Sequence, residues 1–380
     1  MLYRRNFLKL SGAALLGAIG GRTSALAART GPASGKSGTR FAAYYLNANM
    51  YTAVPRHVRE DMAWMADVGT RFVCVGVLEQ DLWAAHENLA LIVEEVERAG
   101  MQVLAVPSRW AGLTAGAPKV PSMYSTLNPH TWMVDRRGRT GFAGKVSGVI
   151  SSPLWPEVGE FFRTTLAELY RQHPRIAGVI IDEPKGFRRD YSQKAVEVLG
   201  PDAPIAAHHG AMRDLLSDVC RFAKREWPEK LTIMFQQAHT DDEELAVSST
   251  VESLDYYGVD GRPWTLAEDA RMQATDEGQD GGKGKVLLDG RGAKFIALAQ
   301  AVPGRGSFFL IENHNLPASM LAAMDRHYPD VLDLRPDIAA YYYYPRNVAA
   351  PDKAMNIIRG HLKRHRAAQR LDRQDGRVRS

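Results

Sequence analysis

The sequence predicts an α/β protein, a single (β/α)8 barrel (TIM barrel) with long loops after its third and sixth strands. Short apolar runs and helical patterns alternate eight times over about 320 residues, an ordinary size for such a barrel. The fourth run, Ile176 to Ile181, is apolar throughout, as expected of a parallel strand covered on both faces. The turn after the first run, Asn47 to Tyr51, lacks a glycine-rich phosphate loop, which disfavours the alternative, a doubly wound dinucleotide-binding sheet.

Each strand is predicted from a short run of β-branched and aromatic residues that ends in polar or turn-forming residues. The fourth, for example, stops at Asp182 and Glu183, which Pro184 and Gly186 follow. The eight predicted strands are residues 41–46, 71–78, 102–106, 176–181, 231–236, 254–258, 307–311 and 338–344.

The helices are predicted from apolar residues at helical spacing, with proline at the start or glycine after the end. Pro55 opens the first, and Gly69 closes it after an apolar face that includes Val58 and Met62. The eight predicted helices are residues 55–69, 88–99, 156–171, 212–227, 241–248, 293–302, 317–328 and 352–364.

Two long connections interrupt this alternation. Residues 111–153 follow the third strand and contain Trp132 and a basic turn, whereas the polar loop after the sixth strand runs through Gly292 and contains Trp264. Long irregular loops inside compact domains are usually functional or disordered. We therefore expect these loops to form the walls of a cleft.

The amino terminus carries an export pattern. Residues 3–9 resemble a twin-arginine signal, an apolar segment follows to Gly20, and Ala25-Leu26-Ala27 is typical of a cleavage site. We expect residues 1–27 to be a signal peptide, 28–40 a flexible linker, 41–366 the barrel and 367–380 a basic disordered tail. This organisation predicts a periplasmic or secreted protein.

The basic charge is concentrated at the two ends of the chain. The formal net charge is +5, but residues 1–28 carry only basic charges, and residues 361–380 are also strongly basic. The region between them is weakly acidic, which argues against a nucleic-acid partner. No stable membrane insertion is expected after signal removal, and the oligomeric state does not follow from the sequence. Cys74 and Cys220 lie in apolar runs and are predicted to be core thiols.

The carboxyl ends of all strands in such a barrel meet on one face, where its active sites lie. Acids end strand 4 (Asp182, Glu183) and strand 7 (Glu312). Aromatic rings that stack on sugars, together with amides and acids that bond hydroxyls, suit a carbohydrate ligand. The predicted substrate-binding residues are Asn47, Glu79, Trp110, Gln236, Tyr256, Tyr257, Asp260, Trp264, His314 and Tyr344.

These residues have alternative roles. Glu183 could be a structural acid that pairs with Lys185 or Arg188, and Glu312 could cap the following helix. His208-His209 has no partner ligand at metal-binding spacing, and the nucleophile motif Gly-x-Ser-x-Gly is absent, so no metal, no cofactor and no catalytic serine is predicted.

The acids that end strands 4 and 7 resemble those of the retaining (β/α)8 glycoside hydrolases. The resemblance implies that Glu183 is the acid/base, that Glu312 is the nucleophile, and that Tyr256 or Tyr257 hydrogen-bonds the nucleophile. The resemblance in architecture extends over the whole barrel, whereas the resemblance in sequence is confined to these strand ends. It indicates no specific family. These enzymes usually have asparagine before the strand 4 glutamate, where this chain has Asp182.

Two further hypotheses remain open. In the first, a barrel glycosidase uses Asp182 as nucleophile and Asp260 or Asp255 as acid. In the second, the chain is a non-catalytic carbohydrate-binding barrel.

Overall fold

The computed structural model describes residues 38–45, 53–84, 86–116, 120–140, 148–274, 283–314, 316–344 and 349–378, with side chains as far as Leu371. The predicted signal peptide, most of the linker and Asn47 lie outside the described residues.

The protein folds into a closed barrel of eight parallel strands, in the order β1 to β8, with helices around it. This confirms the predicted fold class. The strands are β1 (Arg40–Tyr45), β2 (Thr70–Val77), β3 (Gln102–Pro107), β4 (Gly178–Asp182), β5 (Leu231–Gln237), β6 (Tyr256–Gly261), β7 (Gly306–Ile311) and β8 (Ile338–Tyr342).

The helices of the outer layer bury one apolar face against the strands. In the first, Pro55 occupies the first turn and Val58, Met62 and Met65 are buried, as predicted. The helices are α1 (Pro55–Asp67), α2 (His86–Arg98), α3 (Met123–Leu127), α4 (Pro156–Gln172), α5 (Gln193–Leu199), α6 (Ile205–Glu226), α7 (Asp242–Ser248), α8 (Leu266–Gln273), α9 (Arg291–Gln300), α10 (Leu321–Asp333) and α11 (Pro351–Val378).

The structure corrects several predicted boundaries. The helices α3, α5 and α8 lie in segments read as loops, and α6 begins seven residues before the predicted start at Met212. The segment predicted as a basic disordered tail is the continuation of α11, which ends at Val378. Its lack of apolar periodicity suggested disorder, but a helix beyond the domain core needs no buried face.

The boundary error with the largest consequence lies in β6. This strand was predicted to end at Gly258, yet it begins at Tyr256 and continues through Asp260 to Gly261. Position 258, in the middle of the strand, requires glycine because a side chain there would collide with the Phe308 carbonyl of β7. The shift moves the two tyrosines away from the strand's carboxyl end and brings Asp260 to it.

Alternate residues of each strand fill the barrel interior. Tyr44, Phe235, Tyr256 and Phe308 belong to this inner cluster, whereas their strand neighbours pack against the helices. By the same alternation, Asp182 on β4 and Asp260 on β6 face inward at the carboxyl end of the barrel.

Both cysteines are buried and free, as predicted for core thiols. Within the described ranges, no helix has the length and apolar character needed to cross a bilayer.

Candidate active site

The carboxyl end of the barrel holds a buried cluster of carboxyl groups from three strands. Asp182 is the last residue of β4, Asp260 lies at the end of β6, and Glu312 directly follows β7. Their exposed fractions are 6%, 2% and 3%. Glu183, next to Asp182, joins this cluster and completes a set of four.

Glu183 reaches the cluster through an unusual backbone conformation. In an extended strand it would point away from Asp182, towards the helices. Its φ of 37° lies in the left-handed region instead, which non-glycine residues rarely adopt. Its side chain turns towards a lysine shared with Asp260 and Glu312. Backbone strain of this kind is characteristic of functional sites.

The shared lysine is Lys285, whose ammonium lies at the centre of the cluster. Its Nζ is 2.6 Å from Asp260 Oδ2, 3.2 Å from Glu312 Oε2 and 3.6 Å from Glu183 Oε1. The loop after β6 carries it there, since the Arg262 N–H donates to the Lys285 carbonyl and the Leu287 N–H donates to the Arg262 carbonyl. This short parallel pairing extends β6 and fixes Lys285 above the barrel axis.

Three further cations surround the carboxyl groups. Lys185 donates to Glu183 Oε2 at 2.8 Å, which is the ion pair considered as the structural role of Glu183. Arg262 pairs with Asp269 at 2.6 Å, and its Nε lies 3.9 Å from Glu312 Oε2. Arg109, which is buried, acts electrostatically on Asp182 and Glu183, while burial lowers its own pKa.

The pKa values of the carboxyl groups differ because their neighbours differ. Burial and the adjacent Glu183 carboxylate raise the pKa of Asp182 to about 7. Burial also raises the pKa of Asp260, against the effect of Lys285. Burial also tends to raise the pKa of Glu183, but the charges of Lys185 and Lys285 outweigh this effect and hold the pKa well below its usual range. The cluster therefore combines protonated and ionised carboxyl groups near neutral pH.

Aromatic side chains border the cluster from β1 and β8. The rings of Tyr44 and Tyr342 lie 5.4 Å apart, and His314 lies 5.4 Å from Tyr342 on its other side. The Tyr44 hydroxyl is buried and has no hydrogen-bond partner within the described part of the chain. Tyr342 and His314, which are partly exposed, can contact a polar ligand above the carboxyl groups.

The structure places the predicted residues Asp182, Glu183, Asp260, Glu312 and His314 together at this end of the barrel. Glu312 caps no helix, because the turn and helix that follow it have no side-chain cap.

Tyr256, Tyr257 and Asp255 do not belong to this site. Tyr256 opens β6 at the opposite end of the barrel, where its hydroxyl accepts from Arg40. Tyr257 faces the helix layer, where its hydroxyl bonds to that of Ser248. Asp255 precedes the strand and accepts from the Thr232 N–H. Neither tyrosine hydrogen-bonds Glu312, and Asp255, at the opposite end of β6, cannot serve as the acid partner of Asp182.

Three other predicted binding residues have structural positions. Glu79 accepts from the Ser122 hydroxyl and from the N–H groups of Tyr124 and Ala111, and so ties down the loop after β3. Trp110 and Trp264 are 1% and 0% exposed, so neither ring can stack on a ligand. The sequence placed them correctly near strand ends, but each packs into the surrounding loop.

The remaining predicted residues lie at the edge of the site or beyond it. Gln236 is buried on the outer face of β5, and its amide nitrogen has no partner among the residues described. Tyr344 is 43% exposed and donates to Asp352 of α11, so it lies outside the cluster.

The sequence interpretation missed Lys285 and Arg262 as site residues. Tyr342 lies at an inward position at the end of β8. A lysine about two dozen residues beyond Asp260 in a polar loop carries no such signal, because only the chain's return to Arg262 brings it to the site.

No group of three or more His, Cys, Asp or Glu side chains within the described ranges is arranged to hold a metal ion.

Solved structures with similar barrels include glycoside hydrolases. The β-galactosidase from the psychrophilic Marinomonas ef1 gives a TM-score of 0.61 at 13% identity, covering 89% of this chain and 60% of that chain. The β-amylase catalytic domain from Paenibacillus polymyxa gives 0.57 at 10% identity, covering 86% and 98%. A GH5_18 structure from Streptomyces cattleya gives 0.51 at 14% identity, covering 86% and 80%.

At such low identities the likeness establishes the fold alone, and this chain spans only 60% of the Marinomonas enzyme. Neither the protein-family models nor the curated proteins contain a match to the sequence.

Proposed function

We propose that this protein is an exported glycoside hydrolase that cleaves a glycosidic bond in a polysaccharide or glycoconjugate with retention of configuration. Glu183 is the general acid/base and Glu312 is the nucleophile. The observation that carries the proposal is that both carboxylates, from opposite sides of the barrel, contact one ammonium group, that of Lys285. Because both oxygens contact the same nitrogen, Glu183 Oε1 and Glu312 Oε2 can be at most about 6.8 Å apart. This limit is compatible with the ~5–5.5 Å separation of carboxyl groups in retaining enzymes.

The reaction proceeds in two displacements. Glu183 gives its proton to the glycosidic oxygen while Glu312 attacks the anomeric carbon, so the C–O bond breaks and a glycosyl ester forms. Glu183 then takes a proton from water, whose oxygen attacks the same carbon and releases Glu312. Arg262 and Lys285 both face Glu312, with Arg262 Nε 3.9 Å and Lys285 Nζ 3.2 Å from its Oε2.

Glu183 must carry a proton before the first step, although Lys185 and Lys285 hold its pKa low. The Lys285 ammonium lies between the two glutamates, where the anomeric carbon has to be placed, so the proposed reaction requires a bound sugar to displace the side chain from these contacts. Loss of this neighbour raises the pKa of Glu183. Asp182, with a pKa of about 7, supplies a second protonated carboxyl beside it.

An alternative assignment uses Asp182 as nucleophile and Asp260 as acid. The raised pKa of Asp260 favours it as a proton donor. The raised pKa of Asp182 works against this assignment, because a nucleophilic carboxylate must be ionised at the working pH.

The two assignments make different predictions for alanine variants. Glu183→Ala should lose most activity on natural glycans but keep activity on glycosides with an activated aryl leaving group, which need no protonation. Glu312→Ala should lose both activities, by about 1000-fold or more, equivalent to about 4 kcal/mol of barrier. Release of reducing ends and of the aryl group measures the two activities, and mass spectrometry detects a glycosyl-enzyme in Glu183→Ala.

Glu243→Ala, at an exposed position of α7, is the matched control and should retain parental rates. Circular dichroism verifies that each variant is folded. Parental turnover in Glu312→Ala together with none in Asp182→Ala would transfer the nucleophile role to Asp182. Absence of turnover by the parent on a broad panel of glycans and aryl glycosides would contradict the hydrolase proposal itself.

A further inference from the structure

The end of the barrel opposite the carboxyl cluster contains a cavity with arginine walls. Its volume is about 460 Å³, and its lining includes Arg40, Arg71, Arg366 and Arg370 but no acidic side chain among the described residues. Arg40 is the first residue of β1 and Arg71 the second of β2, which fixes the cavity at the amino-terminal end. The other two arginines lie four residues apart, on one face of α11.

Arg40 forms the inner wall of the cavity and is held in place. Its guanidinium donates to the Tyr256 hydroxyl at 2.5 Å and lies 5.7 Å from the centre of the Phe72 ring. These contacts orient the group without neutralising its charge.

Acidic residues near this end have other partners, and Asp255, for example, pairs with Lys224. Asp67 pairs with Arg359 and Lys363, and the Asp337 carboxylate accepts from the N–H and hydroxyl of Ser307. Within the part of the chain that the structure describes, no acidic side chain pairs with any of the four cavity arginines. The cavity therefore has the charge and the donor groups of an anion-binding site.

We propose that this arginine cavity binds the phosphodiester headgroups of anionic phospholipids and that the folded protein docks through it on a membrane surface. Guanidinium groups bind phosphate with paired hydrogen bonds, and four of them around one cavity can hold one or two headgroups.

One observation favours a bilayer over a small dissolved anion. Arg71 and Arg370 are exposed at the rim of the cavity, where a broad negatively charged surface can contact both side chains at once. Basic clusters of this kind are attracted by the negative potential of a lipid surface. Docking here leaves the carboxyl end of the barrel directed away from the lipid.

The test is co-sedimentation of the full chain with vesicles of phosphatidylcholine that contain 30% phosphatidylglycerol. Arg366→Gln/Arg370→Gln removes two of the four cavity charges, both from α11. The matched control, Arg136→Gln/Arg137→Gln, removes two charges from the exposed turn in the loop after β3. We expect the cavity variant to bind at least about tenfold more weakly and the control to bind like the parent, since each basic residue near such a surface strengthens binding roughly fivefold.

Each other outcome contradicts the proposal. If both variants lost the same amount of vesicle binding, the binding would depend only on net charge. If both variants bound the vesicles as tightly as the parent, any membrane affinity would belong to another segment. Binding of the parent to pure phosphatidylcholine vesicles would exclude headgroup recognition. Calorimetric binding of inorganic phosphate without vesicle binding would identify a small-anion site. Melting curves of both variants establish that they are folded, and vesicle binding is independent of whether the carboxyl cluster hydrolyses glycans.

Discussion

Adjacent carboxyl groups at the end of β4 behave differently because they face different charges. Asp182 points into the barrel, where burial and the Glu183 carboxylate dominate, whereas Glu183 contacts two ammonium groups. The left-handed backbone at Glu183 causes this difference in charge environment, because it turns the side chain towards the two lysines. In an extended strand Glu183 would have pointed to the opposite face, towards the helices. The sequence predicted both acids at the site but could not predict which of them is protonated, because the cations come from distant segments.

The raised pKa of Asp182 predicts a pH-dependent cost to stability. Below about pH 4 this residue is protonated in both folded and unfolded chains and has no effect. Between the ordinary value of 3.8 and about 7 the unfolded chain ionises first, so the folded state loses stability as the pH rises. Asp182→Asn cannot ionise. We expect its free energy of unfolding to rise relative to that of the parent from pH 4.5 to 7.5, by up to about 4 kcal/mol.

Urea unfolding at several pH values in this range measures the difference. Asp202→Asn, at an exposed position before α6, provides the control. Its difference from the parent should not vary with pH by a comparable amount. A constant difference for Asp182→Asn would show that Asp182 ionises as easily in the folded protein as in the unfolded one.

At the scale of elements, the strands that were predicted correctly are those whose ends coincide with a change from apolar to polar residues. In β4 and β7 that change falls at Asp182 and Glu312, so the strand ends and the acids were found together. In β6, Gly258 is required by close strand packing but was interpreted as the end of the strand. The prediction therefore placed Tyr256 and Tyr257 at the site, although they lie at the start of the strand. Lys285 was missed because its position depends on a non-local return of the loop to Arg262.

The loop after β3 is held by one buried acid, and this contact can be tested. Glu79→Ala leaves the Ser122 hydroxyl and two backbone N–H groups without their acceptor. We expect a loss of about 2–4 kcal/mol in the free energy of unfolding, because buried donors without partners are costly. Trypsin should also cleave faster at the exposed Arg136-Arg137 turn, since the loop opens more readily.

Glu79→Gln keeps an acceptor oxygen and should lose less stability than Glu79→Ala. Glu87→Ala, at an exposed position of α2, removes the same group from the surface and should change neither stability nor cleavage rate appreciably. If Glu79→Ala matched this control in both measurements, Glu79 would not be what holds the loop in place.

At the scale of the whole molecule, the two ends of the barrel carry opposite chemistry. The carboxyl end gathers four carboxyl groups, three of them in contact with one lysine, and the amino end gathers four arginines around a cavity. The overall net charge of +5 conceals this division, because most of the basic excess lies in the terminal segments. The sequence indicated that the basic charge belongs to the ends, but only the fold shows that α11 brings part of it to the first residues of β1 and β2.

The proposed export would decide in which compartment both ends of the barrel act, and it can be tested through the pair Arg4-Arg5. The twin-arginine route carries proteins that have already folded, which suits a large barrel whose two cysteines are free. Replacing both arginines with lysine keeps the charge but removes the guanidinium groups of the signal. We expect this variant to remain in the cytoplasm of a bacterial host as the uncleaved precursor, whereas the parent appears outside it, shortened after Ala27. Cell fractionation with amino-terminal sequencing measures both results.

The control is Arg22→Lys, which makes the same exchange at a single basic residue behind the apolar segment and should leave export at the parental level. Equal amounts of mature protein outside the cytoplasm for the Arg4-Arg5 variant and the parent would show that another route carries the chain.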